Sequence, residues 1–172
     1  MKKLLLMATL AVALIFAGCA NNSSKDSDKD GEKTEQKAEQ AKQDEAIAKL
    51  PKDVREAAIH FEKEFKADSA FQYKGIAVDD EENCLIYTLG VSKDDRNGMS
   101  LKKWLRKNGL EIADIKRSFL RGLDEDDAKA CEALKDNQYK LIFRFVGDGE
   151  EDVIEVYISH KDLPDGDELV LD

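Results

Sequence analysis

Apolar residues recur at spacings of three and four through Ile47, Leu50, Val54, Ala58, Phe61 and Phe65, the stripe that one face of an α-helix presents. Pro51 suits the first turn of a helix, where its missing N–H is no loss, so the main helix is expected from about Pro51 to Lys66. The period then shortens to two. Phe71, Tyr73, Ile76 and Val78 predict a strand, the polar run at 79–83 a turn, and CLIYTLGV at 84–91 the returning strand of a hairpin. Gly75 shifts the alternation and marks a bulge.

Beyond the loop SKDDRNGM, Ser100 is a good N-cap for the helix LKKWLRKN, which Gly109 can close in a left-handed conformation. Helical spacing returns at Ile112, Ile115, Phe119 and Leu123, then at Ala128, Cys131 and Leu134 with Asp124 as cap. A second hairpin follows: Tyr139, Leu141, Phe143 and Phe145 alternate with mainly polar residues, GDGEED turns the chain, and Ile154, Val156 and Ile158 alternate on the return. The order of elements is therefore helix, hairpin, three helices, hairpin. The expected fold is α+β, a single domain with a four-stranded antiparallel sheet and helices on one face.

The N-terminus reads differently. Lys2 and Lys3 precede an apolar run of 13 residues, Leu4 to Phe16, which is interrupted only by Thr9 and closes on Ala17, Gly18 and Cys19. This is the pattern of an export signal, and the run is too short for a stable spanning helix, which needs about 20 apolar residues. Ala17, Gly18 and Cys19 resemble the lipobox of bacterial lipoproteins. The resemblance implies a signal peptide at 1–18 that is cut before Cys19, and a mature chain lipidated on the Cys19 sulfur and acylated on its amino group. Two or more acyl chains make such an attachment durable, whereas one does not.

Residues 20–45 contain no aromatic and no branched aliphatic residue and many charges, so 19–45 is expected to be a lipidated cysteine on a flexible tether, with the globular domain at 46–172. In size, tether and order of elements the mature chain resembles small uncharacterised lipoproteins of Gram-positive bacteria, a likeness of layout that brings no site residues. The expected location is the extracytoplasmic face of the cell membrane.

Loss of Lys2 and Lys3 with the signal moves the formal net charge from −10 to −12, which argues against a nucleic-acid binder. The segment 100–121 runs against that balance. It holds Lys102, Lys103, Arg106, Lys107, Lys116, Arg117 and Arg121 against Glu111 and Asp114. On a helical wheel Leu101, Trp104 and Leu105 share one face and Lys102, Lys103, Arg106 and Lys107 lie opposite, a surface suited to anionic lipid headgroups, an anionic envelope polymer or an acidic partner protein, or simply to solvent.

The remaining chemistry is sparse. Cys84 and Cys131 permit a single disulfide, or two buried thiols. His60 and His160 are the only histidines and form no metal-ligand spacing, and no cofactor or nucleophile motif is present. Asp26, Asp28, Asp30 and Gly31 match the first half of a calcium loop, with Glu35 following, but Lys33 and Lys37 break the second half. The acidic tips at 79–82 and 147–152, with Asp165 and Asp167, could hold a divalent cation if the fold brought them together. The leading expectation is a lipid-anchored, non-catalytic binding domain. The alternatives are an envelope hydrolase with carboxylates that carry no motif, and a calcium-dependent module.

Overall fold

A computed structural model describes residues 42–149 and 151–169. Cys19 and the acidic stretch from Asp26 to Glu35 lie outside the described residues. Helical residues 42–49 lead into α1 (Lys52–Ala67), followed by β1 (Gln72–Asp79), β2 (Cys84–Gly90), α2 (Leu101–Lys107), α3 (Ile112–Gly122), α4 (Ala128–Asp136), β3 (Lys140–Val146), β4 (Val153–Ile158) and the single turn α5 (Gly166–Leu169). The fold is α+β, with one four-stranded sheet in the order β1-β2-β3-β4.

The sheet is mixed, which corrects the expectation of a purely antiparallel one. β1 pairs antiparallel with β2 and β3 with β4, but β2 and β3 run parallel, with Cys84 opposite Lys140 and Gly90 opposite Val146. The reason lies in the connection. Two antiparallel strands can be joined by a tight turn, whereas parallel neighbours need a crossover of a dozen or more residues, and α2, α3 and α4 supply it. The two strands with the most buried residues are thereby the central pair, as parallel strands generally are.

Alternation along the strands assigns the faces. Leu85, Tyr87 and Leu89 of β2, Leu141, Phe143 and Phe145 of β3, and Ile154, Val156 and Ile158 of β4 are all buried and join one core cluster with Val54, Ala58, Phe61 and Phe65 of α1. Ile86, Thr88, Arg144, Glu155 and Tyr157 point to the other face and stay outside that cluster; there Arg144 Nε donates to Glu155 at 2.8 Å. Phe65, Tyr87, Phe119 and Phe143 form a knot of edge-on and tilted rings, with Phe119 and Phe143 centroids 4.7 Å apart. The buried Tyr87 hydroxyl donates to the Ala58 carbonyl at 3.1 Å, tying α1 to the centre of the sheet.

Gly75 sits where the β1–β2 register shifts, and its φ of 147° lies in a region costly for any other residue. Gly109, at φ 65°, ends α2 in the left-handed conformation. No described helix is long and apolar enough to cross a membrane.

Candidate functional site

Helix α2 is buried along one side and charged along the other. Leu101 and Leu105 face the core, Trp104 is half-buried, and Lys102, Lys103, Arg106 and Lys107 are exposed. Beneath it lies an apolar cavity of about 120 Å³. Leu101, Trp104 and Leu105 form its α2 wall, Leu110 and Ile115 come from the turn and α3, and Phe145 and Ile154 from the sheet. Asp114 and Ser118 are its polar lining.

Asp114 is already committed: one carboxylate oxygen accepts the Glu111 N–H at 2.8 Å, which stabilises the start of α3, and the other meets Arg117 at 3.0 Å. An open groove of about 790 Å³ adjoins the cavity and shares Leu105, Leu110 and Ile154 with it. Lys102 and Arg106 line that groove beside Ile112, which is 48 % exposed.

The cations of the basic segment differ in their pairing, and Arg121 at the end of α3 is exposed without an ion pair among the described residues. On α3, Arg117 pairs with Asp114, and Lys116 pairs with Asp162 at 2.7 Å. That lysine and the Ser159 N–H hold the Asp162 carboxyl below its usual range. On α2, none of Lys102, Lys103, Arg106 and Lys107 has a carboxylate partner among the described residues. The four cations singled out from the helical wheel thus form an exposed basic patch on a helix whose other side is fixed.

What fixes it is a cluster with no counterpart in the sequence reading. Arg96 is the one buried charged residue among those described. Its Nε donates to the Ser92 carbonyl at 3.2 Å, Nη1 to the Met99 carbonyl and to Asp152 at 2.9 Å, and Nη2 to Asp148 at 2.9 Å. The other Asp152 oxygen accepts the Leu101 N–H at 2.7 Å. Ser100 precedes α2 without capping it through its side chain, so the first amide of the helix is satisfied from the β3–β4 turn instead. The visible signal was one arginine beside two aspartates in the loop SKDDRNGM, together with the acidic turn GDGEED, and nothing in sequence alone pairs the two.

Cys84 and Cys131 are both free and buried, so the bridge between them is not formed. Cys131 belongs to the core on the helix side, whereas Cys84 alternates with Leu85 and turns to the opposite face of the sheet. Burial pushes the Cys131 thiol up to about 12, and it also raises that of Cys84. Iodoacetamide at mildly alkaline pH is expected to leave Cys131 unmodified in the folded protein and to label it after unfolding, as mass spectrometry would read directly.

His60 Nε2 lies 2.7 Å from Asp127, joining α1 to the turn before α4, while His160 follows β4. No group of three or more His, Cys, Asp or Glu among the described residues could hold a metal ion.

The acidic tips do not converge. Because β2 and β3 run parallel, the turn at 80–83 and the turn at 147–152 lie at opposite ends of the sheet, roughly 20 Å apart for strands of this length. Asp79 accepts the Glu81 and Glu82 N–H groups and Glu82 pairs with Lys140, while Asp165 pairs with Lys135. Comparison of the chain with family models, with curated proteins and with solved structures finds no match.

Proposed function

We propose that the protein is a lipid-anchored, extracytoplasmic, non-catalytic binding domain that meets an anionic surface of the cell envelope through α2. The observation that carries this reading is the set of four exposed cations, Lys102, Lys103, Arg106 and Lys107, without carboxylate partners among the described residues, on a helix whose other side is locked in place. A surface that merely balanced neighbouring acids would be paired as Lys116 and Arg117 are. Against a hydrolase stands the role of the cavity carboxylate: the two oxygens of Asp114 hold the start of α3 and Arg117.

The chain is expected to bind vesicles containing anionic lipid and to be released by salt, since the screening length is about 8 Å at physiological ionic strength. Changing Lys102, Lys103, Arg106 and Lys107 together to Gln should weaken that binding by roughly thirtyfold, given about 1 kcal/mol per cation near the membrane and incomplete engagement of all four. Sedimentation with vesicles reads this, and equal binding by variant and parent refutes the assignment of α2. The anchor has its own test. Cys19→Ser should release the protein from the membrane fraction or leave it unprocessed, and unchanged processing and membrane association would reject lipidation at Cys19.

A further inference from the structure

From the continuity of the cavity beneath Trp104 with the open groove where Lys102 and Arg106 stand, we infer that α2 and α3 form a binding site for a single-chain anionic amphiphile of the fatty-acid class. The inference rests on the binding reading above and names a ligand for the same face.

Three observations define the occupant. The cavity is apolar apart from Asp114 and Ser118, and about 120 Å³ is too little for a whole drug-sized ligand, which takes roughly 300 Å³ or more. It suits the end of one alkyl chain, since an engineered dry cavity of about 150 Å³ in another protein holds a single benzene. The cavity also has an apolar exit. Leu105, Leu110 and Ile154 belong both to its wall and to the open groove, where Ile112 extends the apolar track to solvent.

The groove supplies a cationic end. Lys102 and Arg106 line it without carboxylate partners among the described residues, ready for a carboxylate or phosphate head; Glu111 and Glu155 line it too, but Glu155 already accepts from Arg144 and Tyr157. Asp114 would repel an anion placed in the cavity, although Arg117 offsets its charge. This sets the polarity of binding: tail under Trp104, head at Lys102 and Arg106.

Trp104 is the only tryptophan in the chain, so its emission reports this site and no other. The full chain carrying Cys19→Ser, without its lipid acceptor, is titrated with decanoate, decanol and decyltrimethylammonium below their micelle thresholds. Decanoate should change Trp104 emission saturably, decanol more weakly, and the cation least. Lys102→Gln with Arg106→Gln should weaken decanoate roughly tenfold or more and leave decanol unchanged, by the same charge argument as for lipid headgroups. Ser118→Leu fills the cavity and should abolish all three responses; Val91, just past the end of β2, also lines the cavity, and Val91→Leu serves if Ser118→Leu does not fold.

No saturable response to decanoate, equal affinity for the cation, or a cavity-filled chain that binds as the parent does would each overturn the assignment. Vesicle sedimentation keeps the two readings apart. A parent that binds anionic vesicles through α2 yet ignores decanoate refutes the amphiphile site and leaves the surface reading standing.

Discussion

Replacing Arg96 with Met is expected to lower the unfolding free energy by about 3 kcal/mol, because it strands a partly buried carboxylate and two loop carbonyls at once. Methionine keeps the packing of the arginine stem and removes every donor. Asp152, whose side chain is 17 % exposed, would keep only the Leu101 N–H. Asp148 is 52 % exposed and rehydrates readily, which places the loss at the low end of what breaking a buried pair costs.

For a domain of this size the melting temperature should fall by about 10 °C. Gly147→Ala tests the same cluster from the backbone side: a Cβ there would lie 1.9 Å from Asp152 Oδ2 and 3.1 Å from Arg96 Nη2, so the latch must open. Urea unfolding of the two variants and of Asp148→Asn, which should cost less than about 1 kcal/mol, separates the buried half of the cluster from the exposed half. An Arg96→Met variant as stable as the parent would show that the cluster adds nothing net to stability. Since Asp152 also receives the first amide of α2, Arg96→Met should loosen that helix as well, visible as faster amide exchange across 101–107.

The second large effect is expected at Phe143, where truncation to Ala should cost about 4 kcal/mol. Its ring is 1 % exposed and meets Phe65, Tyr87 and Phe119 with centroids 5.2, 6.2 and 4.7 Å away. Removing it opens a cavity where α1, α3 and the two central strands converge, and a close-packed core fills such a void only partly. Phe143→Leu should recover most of that loss, at about 1.5 kcal/mol. Tyr157→Ala on the outer face of the neighbouring strand, 58 % exposed, should stay within about 0.5 kcal/mol. If Phe143→Ala and Tyr157→Ala cost the same by chemical denaturation, the assignment of the two sheet faces is wrong.

Much of the fold was legible because its elements carry strong periodicities. The stripe ending at Phe65 became α1, and the alternating runs around Tyr87 and Phe143 became β2 and β3 within a residue or two of the expected bounds. The left-handed Gly109 and the bulge at Gly75 were equally readable, since few other residues tolerate those backbone angles. The direction of β3 was misread. Its apolar alternation is identical in parallel and antiparallel pairing, so the strand itself is silent on direction. The clue lay elsewhere, in the three helices between the hairpins, which are far more chain than an antiparallel neighbour requires.

The candidate site was legible in halves. The opposed faces of α2, with Lys102, Lys103, Arg106 and Lys107 on one and Leu101, Trp104 and Leu105 on the other, follow from helical geometry alone. Which of the seven cations in 100–121 remain unpaired does not, because Lys116 finds Asp162, a residue 46 positions away. Arg96 was passed over altogether: a lone arginine among aspartates reads as solvated, and only the approach of two distant loops buries it.

By itself the sequence determined what local chemistry can enforce: the helices and strands, which of their faces are apolar, and a basic helix in an acidic chain. The tertiary structure decided everything that depends on residues distant in sequence. It set β3 parallel to β2, which sent the two acidic turns to opposite ends of the sheet, and it placed Asp152 at the head of α2 and opened a cavity under Trp104. The physical reason is that periodicity records only whether a side chain faces inward, whereas the partner it meets there depends on how the whole chain closes around the core.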